Sequence, residues 1–200
     1  TIYHRGIDSS APEDFRVHFN SGSWANASGA WDDTAPTSTE FTLGSSSYVN
    51  GSGNTYVAYI FAHHDSTGTF GPSGDQDIIY CGSYTGNGSS NGPTVTLGWE
   101  PQWLIVRGGS TSEGFDWALM DTMRGAGYGD NTKKLVPNSS NSESSFYQSF
   151  KPTPTGFQIG EDGWDLNRSG FRYFFTAIRR GPLAAPTDAT KVFFQSTAST

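Results

Sequence analysis

The 200-residue chain has a single cysteine, no long apolar run and few basic residues, and each shortage excludes a class of protein. Cys81 cannot form an intrachain disulfide, and its place in the apolar run 78–81 favours a buried small hydrophobe over a reactive thiol. No run approaches the ~20 apolar residues of a membrane-spanning helix. With 12 basic against 19 acidic residues, the chain lacks the cationic patch that binding to nucleic acid or to an anionic membrane requires.

Helix-forming patterns are also missing, whereas strand and turn formers are abundant. Only 16% of the residues are charged, and no segment sustains the apolar spacing of an amphipathic helix. Aromatic residues make up 14% of the chain, and 25 Gly with 10 Pro supply frequent turns. We therefore predict an all-β fold, an antiparallel β-sandwich or jelly-roll.

The chain contains an internal duplication with a period of about 117 residues. Five short segments return in the same order: 5–6 at 124–125, 20–21 at 138–139, 36–44 at 152–160, 50–53 at 167–170, and Tyr56 at Tyr173. Each copy has an alternating segment typical of a half-buried strand, then a turn rich in Asn and Gly, then an apolar run. The pattern predicts strands at 36–44 and 56–62 and at their counterparts 152–160 and 171–178.

The duplication predicts the domain organisation. Residues 1–77 form the first repeat with its connection, 78–182 the second repeat, and 183–200 a linker with a last strand at 191–194. The second repeat opens with two further strands, at 102–107 and 117–121, whose counterparts would fall before Thr1. Together with the absence of an initial Met or signal peptide, this predicts that the chain is processed or is an excerpt of a longer one.

No catalytic signature is present, so we predict no catalytic residue, no metal site and no cofactor. The chain has no His-Glu-x-x-His, no phosphate-binding Gly-rich loop with Lys, and no serine elbow with credible partners. Four sets remain as alternatives: His63-His64-Asp65 for a metal or for acid–base chemistry, and the acidic turns 32–33, 75–77 and 161–163 for calcium. His63 and His64 would point to opposite faces of a strand, and none of the acidic turns has full calcium-loop spacing.

Aromatic residues in polar, turn-rich stretches are the candidates for ligand binding. Trp31, Tyr128 and Trp164 lie in such stretches, as does Trp24. Exposed rings of this kind stack on sugar faces, with nearby Asn, Asp and Arg bonding to hydroxyl groups. We therefore predict glycan contacts at Trp31, Tyr128 and Trp164; the alternative is that these rings cap the ends of the sandwich.

Several motifs resemble a recurrent domain of marine bacteriophage structural proteins. They lie at 80–88, 98–106, 121–125, 136–139, 156–157 and 173–180. The block Gly82-Ser83-Tyr84-Thr85-Gly86-Asn87-Gly88 is the most specific of them. The resemblance covers about residues 35–182 and implies a component of the virion, outside the cell, often a tail-fibre or appendage protein. It implies no activity and no ligand residues.

Three functions are consistent with these observations. The leading hypothesis is a non-enzymatic virion structural or appendage module that contacts a host surface polysaccharide. The second is a purely structural cement or fibre-forming subunit, and the third is a polysaccharide-degrading tail enzyme, which would need two facing carboxylates. The expected partners are further copies of the chain, as a trimer or higher homo-oligomer, and other virion proteins.

Overall fold

The computed structural model describes residues 1–20, 24–27, 29–64, 77–127, 131–147, 150–160 and 166–181, and within them strands dominate. The strands are β1 (Phe15–Arg16), β2 (Ala25–Asn26), β3 (Ile79–Thr85), β4 (Thr94–Thr96), β5 (Pro101–Gly109), β6 (Ala118–Asp121), β7 (Asn131–Lys134), β8 (Ser144–Tyr147), β9 (Lys151–Thr153), β10 (Gly156–Gln158) and β11 (Arg172–Arg179). The helical residues are α1 (Ser47–Asn50) and two 3-10 turns, Pro12–Asp14 and Thr122–Arg124. The all-β prediction is confirmed.

A four-stranded antiparallel sheet in the order β3-β11-β5-β6 forms the centre of the molecule. Strand β11 is central because apolar residues occupy both of its faces, so it must be covered on both. Tyr173, Phe175 and Ala177 face one apolar cluster, and Phe174 faces another. The strands predicted at 102–107 and 117–121 are confirmed as β5 and β6.

The two faces of the central sheet are covered by different parts of the chain. On one face, a three-stranded sheet in the order β4-β10-β9 packs through Phe157, with Phe150 and Ile159 beside it. This gives the layered, sandwich-like arrangement predicted from the sequence. The described sheets have four, three, two and two strands, so the eight-stranded pattern of a jelly-roll is not confirmed.

The opposite face is covered by the first thirty residues. Ile7, Val17 and Trp24 pack with Trp117 and Phe174 in a second cluster. A third, smaller cluster contains Ala27, Ala30, Trp31 and Val49. Residues on both sides of the predicted 77/78 boundary therefore share one apolar core.

Similar local geometry recurs at positions 116 to 119 residues apart. Ile2 and Val17 exchange backbone hydrogen bonds of 2.8 and 3.1 Å, and Leu119 and Leu135 exchange bonds of 2.9 and 3.0 Å. The β1–β2 pair, with Arg16 opposite Ala25, matches the β7–β8 pair, with Lys134 opposite Ser144. The turn closed by Thr37 N–H to the Glu40 carbonyl matches the pairing of Thr153 with Gly156.

The agreement extends to the loop before the apolar run. Gly51 N–H donates to Tyr56 Oη at 2.8 Å, and Arg168 N–H donates to Tyr173 Oη at 2.9 Å. Gly53 and Gly170 both have positive φ, 78° and 79°, which glycine adopts without strain.

The elements of the two halves are nevertheless unequal, so the predicted duplication is not confirmed. Residues 36–44 and 56–62 form no strand, although both were predicted to. Their counterparts do form strands, but 151–158 is a hairpin of β9 and β10 and not the single strand predicted, whereas 172–179 is β11. Strand β10 pairs with β4 and β9, and β11 pairs with β3 and β5. In the described residues no strand takes the place of β3, β4 or β5 beside the first half. The strand predicted at 191–194 and most of the predicted connection lie outside the described residues.

Candidate functional site

Of the three predicted glycan-binding aromatics, only Trp31 lies within the described residues. Its indole N–H donates to the Phe15 carbonyl at 3.0 Å, and Tyr3 packs edge-on against its ring. Only 8% of Trp31 is exposed, as is also true of Trp24. The expectation that these two rings are open to solvent is therefore wrong: Trp24 packs on Phe174 of the central sheet, and Trp31 packs with Tyr3, Ala27, Ala30 and Val49. Tyr128 and Trp164 lie outside the described residues, and their glycan role stays a prediction.

The histidines of the alternative metal site have separate partners. His63 Nδ1 accepts the Cys81 N–H at 3.3 Å, whereas His64 Nδ1 lies 2.5 Å from an Asp77 carboxylate oxygen. The His64 ring stacks on Tyr80. Among the described residues, no group of three or more His, Cys, Asp or Glu side chains is placed to hold a metal ion. The remaining predicted acidic ligands, Asp65, Asp75, Glu161 and Asp162, lie outside that part of the chain.

A buried histidine that the sequence did not single out lies behind the same sheet edge. Gly6 N–H donates to His4 Nδ1 at 3.0 Å, so Nε2 carries the proton and faces the Phe175 carbonyl at 3.0 Å. Burial lowers the pKa of His4 to about 4. Burial likewise raises the pKa of the Cys81 thiol, as expected for a small buried hydrophobe. Both groups are therefore neutral near neutral pH.

The loop 86–92, rich in Gly and Asn, is held by a buried amide. Asn167 is fully buried, and its side chain donates to Asn87 Oδ1 at 3.0 Å and to the Ser89 carbonyl at 2.7 Å. In return, Asn87 N–H donates to Asn167 Oδ1 at 2.8 Å. These bonds fix the loop instead of leaving it the flexible turn that its composition indicates. The sequence signal was the Asn-x-Ser-Gly motif that occurs in both halves.

A shallow polar cleft lies where β5 begins and β11 ends. Its volume is about 350 Å³, and its lining includes Trp99, Glu100, Pro154, Arg179 and Arg180. Arg180 donates to a Glu100 carboxylate oxygen at 2.7 Å. The Trp99 indole N–H is buried and makes no hydrogen bond within the described part of the chain. Two guanidinium groups and one carboxylate around an open cleft can bond to hydroxyl and carboxylate oxygens.

Among the described residues, exposed large apolar side chains are most concentrated in the segment 56–62, which follows α1 and its turn. The segment contains no charged residue, and most of its side chains are open to solvent, with Val57, Tyr59 and Ile60 each exposed by more than 70%. No described residue forms a strand ladder with it. Large exposed apolar patches mark interaction sites. The sequence predicted a strand here, but its exposure follows from the absence of β3- and β5-like neighbours.

Apolar residues before this segment and at its start are also partly exposed. Phe41 is 44% exposed, Leu43 40% and Tyr56 44%, whereas their counterparts Phe157, Ile159 and Tyr173 are completely buried. The first half thus exposes the residue types that form the core of the second half. No helix in the described residues is long and apolar enough to cross a lipid bilayer.

Comparison with known proteins gives one family. A family described as a domain of unknown function, DUF7483, matches residues 1–182, and therefore spans both predicted repeats. No curated protein and no solved structure matches the chain. Because the match covers most of the sequence, the chain belongs to the DUF7483 family.

Proposed function

We propose that this chain is a non-enzymatic structural module of a bacteriophage virion, part of an appendage that is exposed outside the cell and built from repeated units. The observation that carries the proposal is the apolar surface of residues 41–62, which is exposed in this chain whereas its counterpart is buried. An isolated folded domain seldom keeps so many uncharged aromatic and β-branched side chains in water. A module that assembles with neighbouring units covers them.

The internal duplication is part of this proposal. It is supported by the order of the sequence matches and by the recurring local geometry, above all the paired bridges Ile2–Val17 and Leu119–Leu135. Units that expose an apolar half-core at one end suit an array, because each unit covers the next. Further copies and other virion proteins are the proposed partners.

The first test is the mass of the 200-residue chain in solution, measured by light scattering over a range of concentrations. We expect a trimer or larger assembly, and we expect Ile60→Lys to reduce it to the monomer because a charge cannot enter an apolar contact. Met123→Lys is the matched control, since Met123 is equally apolar and 94% exposed but lies in the second half. A monomer at every concentration would contradict assembly through this surface.

A second candidate function is binding of a host surface polysaccharide, which the cleft between Glu100 and Arg179 favours. Cationic side chains would select sugars that carry carboxylate groups. The test is calorimetric titration with an acidic oligosaccharide, comparing Arg179→Ala with Arg5→Ala, which removes an exposed arginine elsewhere. We expect only Arg179→Ala to weaken binding; equal affinity for both variants would remove the cleft as the site.

A further inference from the structure

The segment 56–62 corresponds to β11, a strand that has a neighbour on each side. Tyr56 matches Tyr173, and the Gly51–Tyr56 hydrogen bond matches the one between Arg168 and Tyr173. Strand β11 pairs antiparallel with β3 along one edge and with β5 along the other. This inference rests on the repeat proposed above. We infer that 56–62 is a central strand that lies between a β3-like and a β5-like strand, and that a segment of another unit, equivalent to residues 78–117, supplies both of these strands.

The composition of the segment fits a central position and not an edge. Strands at sheet edges carry charge, Pro or bulges that prevent unwanted pairing. The segment Tyr56-Val57-Ala58-Tyr59-Ile60-Phe61-Ala62 has none of these, and both of its alternating faces are apolar. A strand that is apolar on both faces is stable only when both faces and both edges are covered.

The position of β11 between β3 and β5 also requires a particular residue in the partner strand. Tyr173 lies opposite Gly108 of β5, and a Cβ atom on Gly108 would lie 2.3 Å from the Tyr173 ring. A glycine is therefore required opposite this tyrosine. If Tyr56 occupies an equivalent seat, its β5-like neighbour also needs glycine at that position, and the segment 78–117 supplies it.

Pairing of the segment with itself in a second copy does not meet these requirements. Two antiparallel copies of 56–62 would cover one edge of each, but the other edge and much of both faces would remain exposed. In a second copy the place between β3 and β5 is filled by its own β11, and the outer edge of its β3, the end strand of the sheet, could cover only one edge of the segment. The geometry therefore favours a further front half of the repeat as the occupant.

The matching backbone bridges Ile2–Val17 and Leu119–Leu135 show where a partner segment can be joined to the chain. Ile2 takes the position of Leu119, so Thr1 takes that of Ala118. A second copy of residues 78–117 joined directly to Thr1 of the full chain would therefore complete the first repeat. The readouts are hydrogen exchange of residues 57–62 by mass spectrometry and the mass by light scattering.

We expect the fusion to slow hydrogen exchange of these amides by about 100-fold or more, to the rate of the β11 amides. We also expect the fused protein to assemble into fewer subunits than the unfused chain. Gly108→Val in the added copy alone should abolish this protection, whereas Thr111→Val in the added copy, in its exposed loop, should keep it. Unchanged exchange in the fusion would overturn the inference. Self-assembly of the unfused chain should protect the segment only in part, because it covers one edge. Protection in the unfused chain equal to that in the fusion would overturn the inference and would identify a second copy as the occupant. The mass of the unfused chain tests the proposed function independently.

Discussion

At the scale of single residues, the buried His4 and Asn167 side chains are fixed by hydrogen bonds that the sequence does not reveal. His4 lies in a short polar stretch, yet its ring packs on Phe174 and both of its nitrogens are bonded. Cys81 was correctly predicted to be buried, because its neighbours in the chain are apolar. Trp31 was wrongly expected to be exposed, since a polar neighbourhood in sequence does not show which distant residues cover a side chain.

The protonation of His4 gives a prediction for pH dependence. The unfolded chain takes up a proton as the pH falls through the ordinary value near 6.5, whereas in the folded chain the pKa is about 4. The contribution of neutral His4 to the free energy of unfolding is therefore fully present above the ordinary pKa. It is lost as the pH falls toward 4, and the loss is at most about 3 kcal/mol. The free energy of unfolding, measured with urea at several pH values across this range, should change less with pH for His4→Gln than for the unmodified chain. The same pH dependence in both proteins would contradict this role.

At the scale of elements, sequence patterns located most of the second half. The runs predicted at 102–107, 117–121 and 171–178 are three of the four strands of the central sheet. The fourth strand, β3, contains the apolar run 78–81 but was not predicted. The same alternation at 36–44 does not produce a strand, because no described strand occupies the place that β4 has beside β10. A period-2 pattern shows which residues could face a core but not whether a partner strand is present.

The loop 86–92 provides a prediction at this scale. Asn167→Ala removes two donated hydrogen bonds and one accepted hydrogen bond from a fully buried site. We therefore expect it to lower the free energy of unfolding by about 3 kcal/mol. Asn50→Ala is the matched control from the first half, where the exposed side chain donates a single bond to the Gly44 carbonyl. Asn50→Ala should lower the free energy of unfolding by less than about 1 kcal/mol. Equal losses in urea unfolding would show that the buried amide does not hold the loop.

At the scale of the whole molecule, the sequence separated two repeats that the structure joins through a common core. Composition and periodicity identify apolar faces, but they do not show that Ile7, Val17 and Trp24 cover the central sheet of the other half. Trp24 and Phe174, whose ring centres are 5.9 Å apart, come from opposite sides of the predicted boundary at 77/78. Contacts of this kind connect residues that are far apart in the chain, and so they leave no local pattern.

This shared core predicts that the two halves unfold together. Circular dichroism and tryptophan fluorescence should follow one coincident urea transition, because removing the first half would expose Trp117 and Phe174. In a double-mutant cycle, Trp24→Leu and Phe174→Leu should couple by about 1 kcal/mol. Trp24→Leu and Phe150→Leu lie in different clusters and should be additive within about 0.5 kcal/mol. Two separate transitions, or additivity for the Trp24–Phe174 pair, would mean that the repeats are independent domains and that the apolar contact between them contributes little to folding.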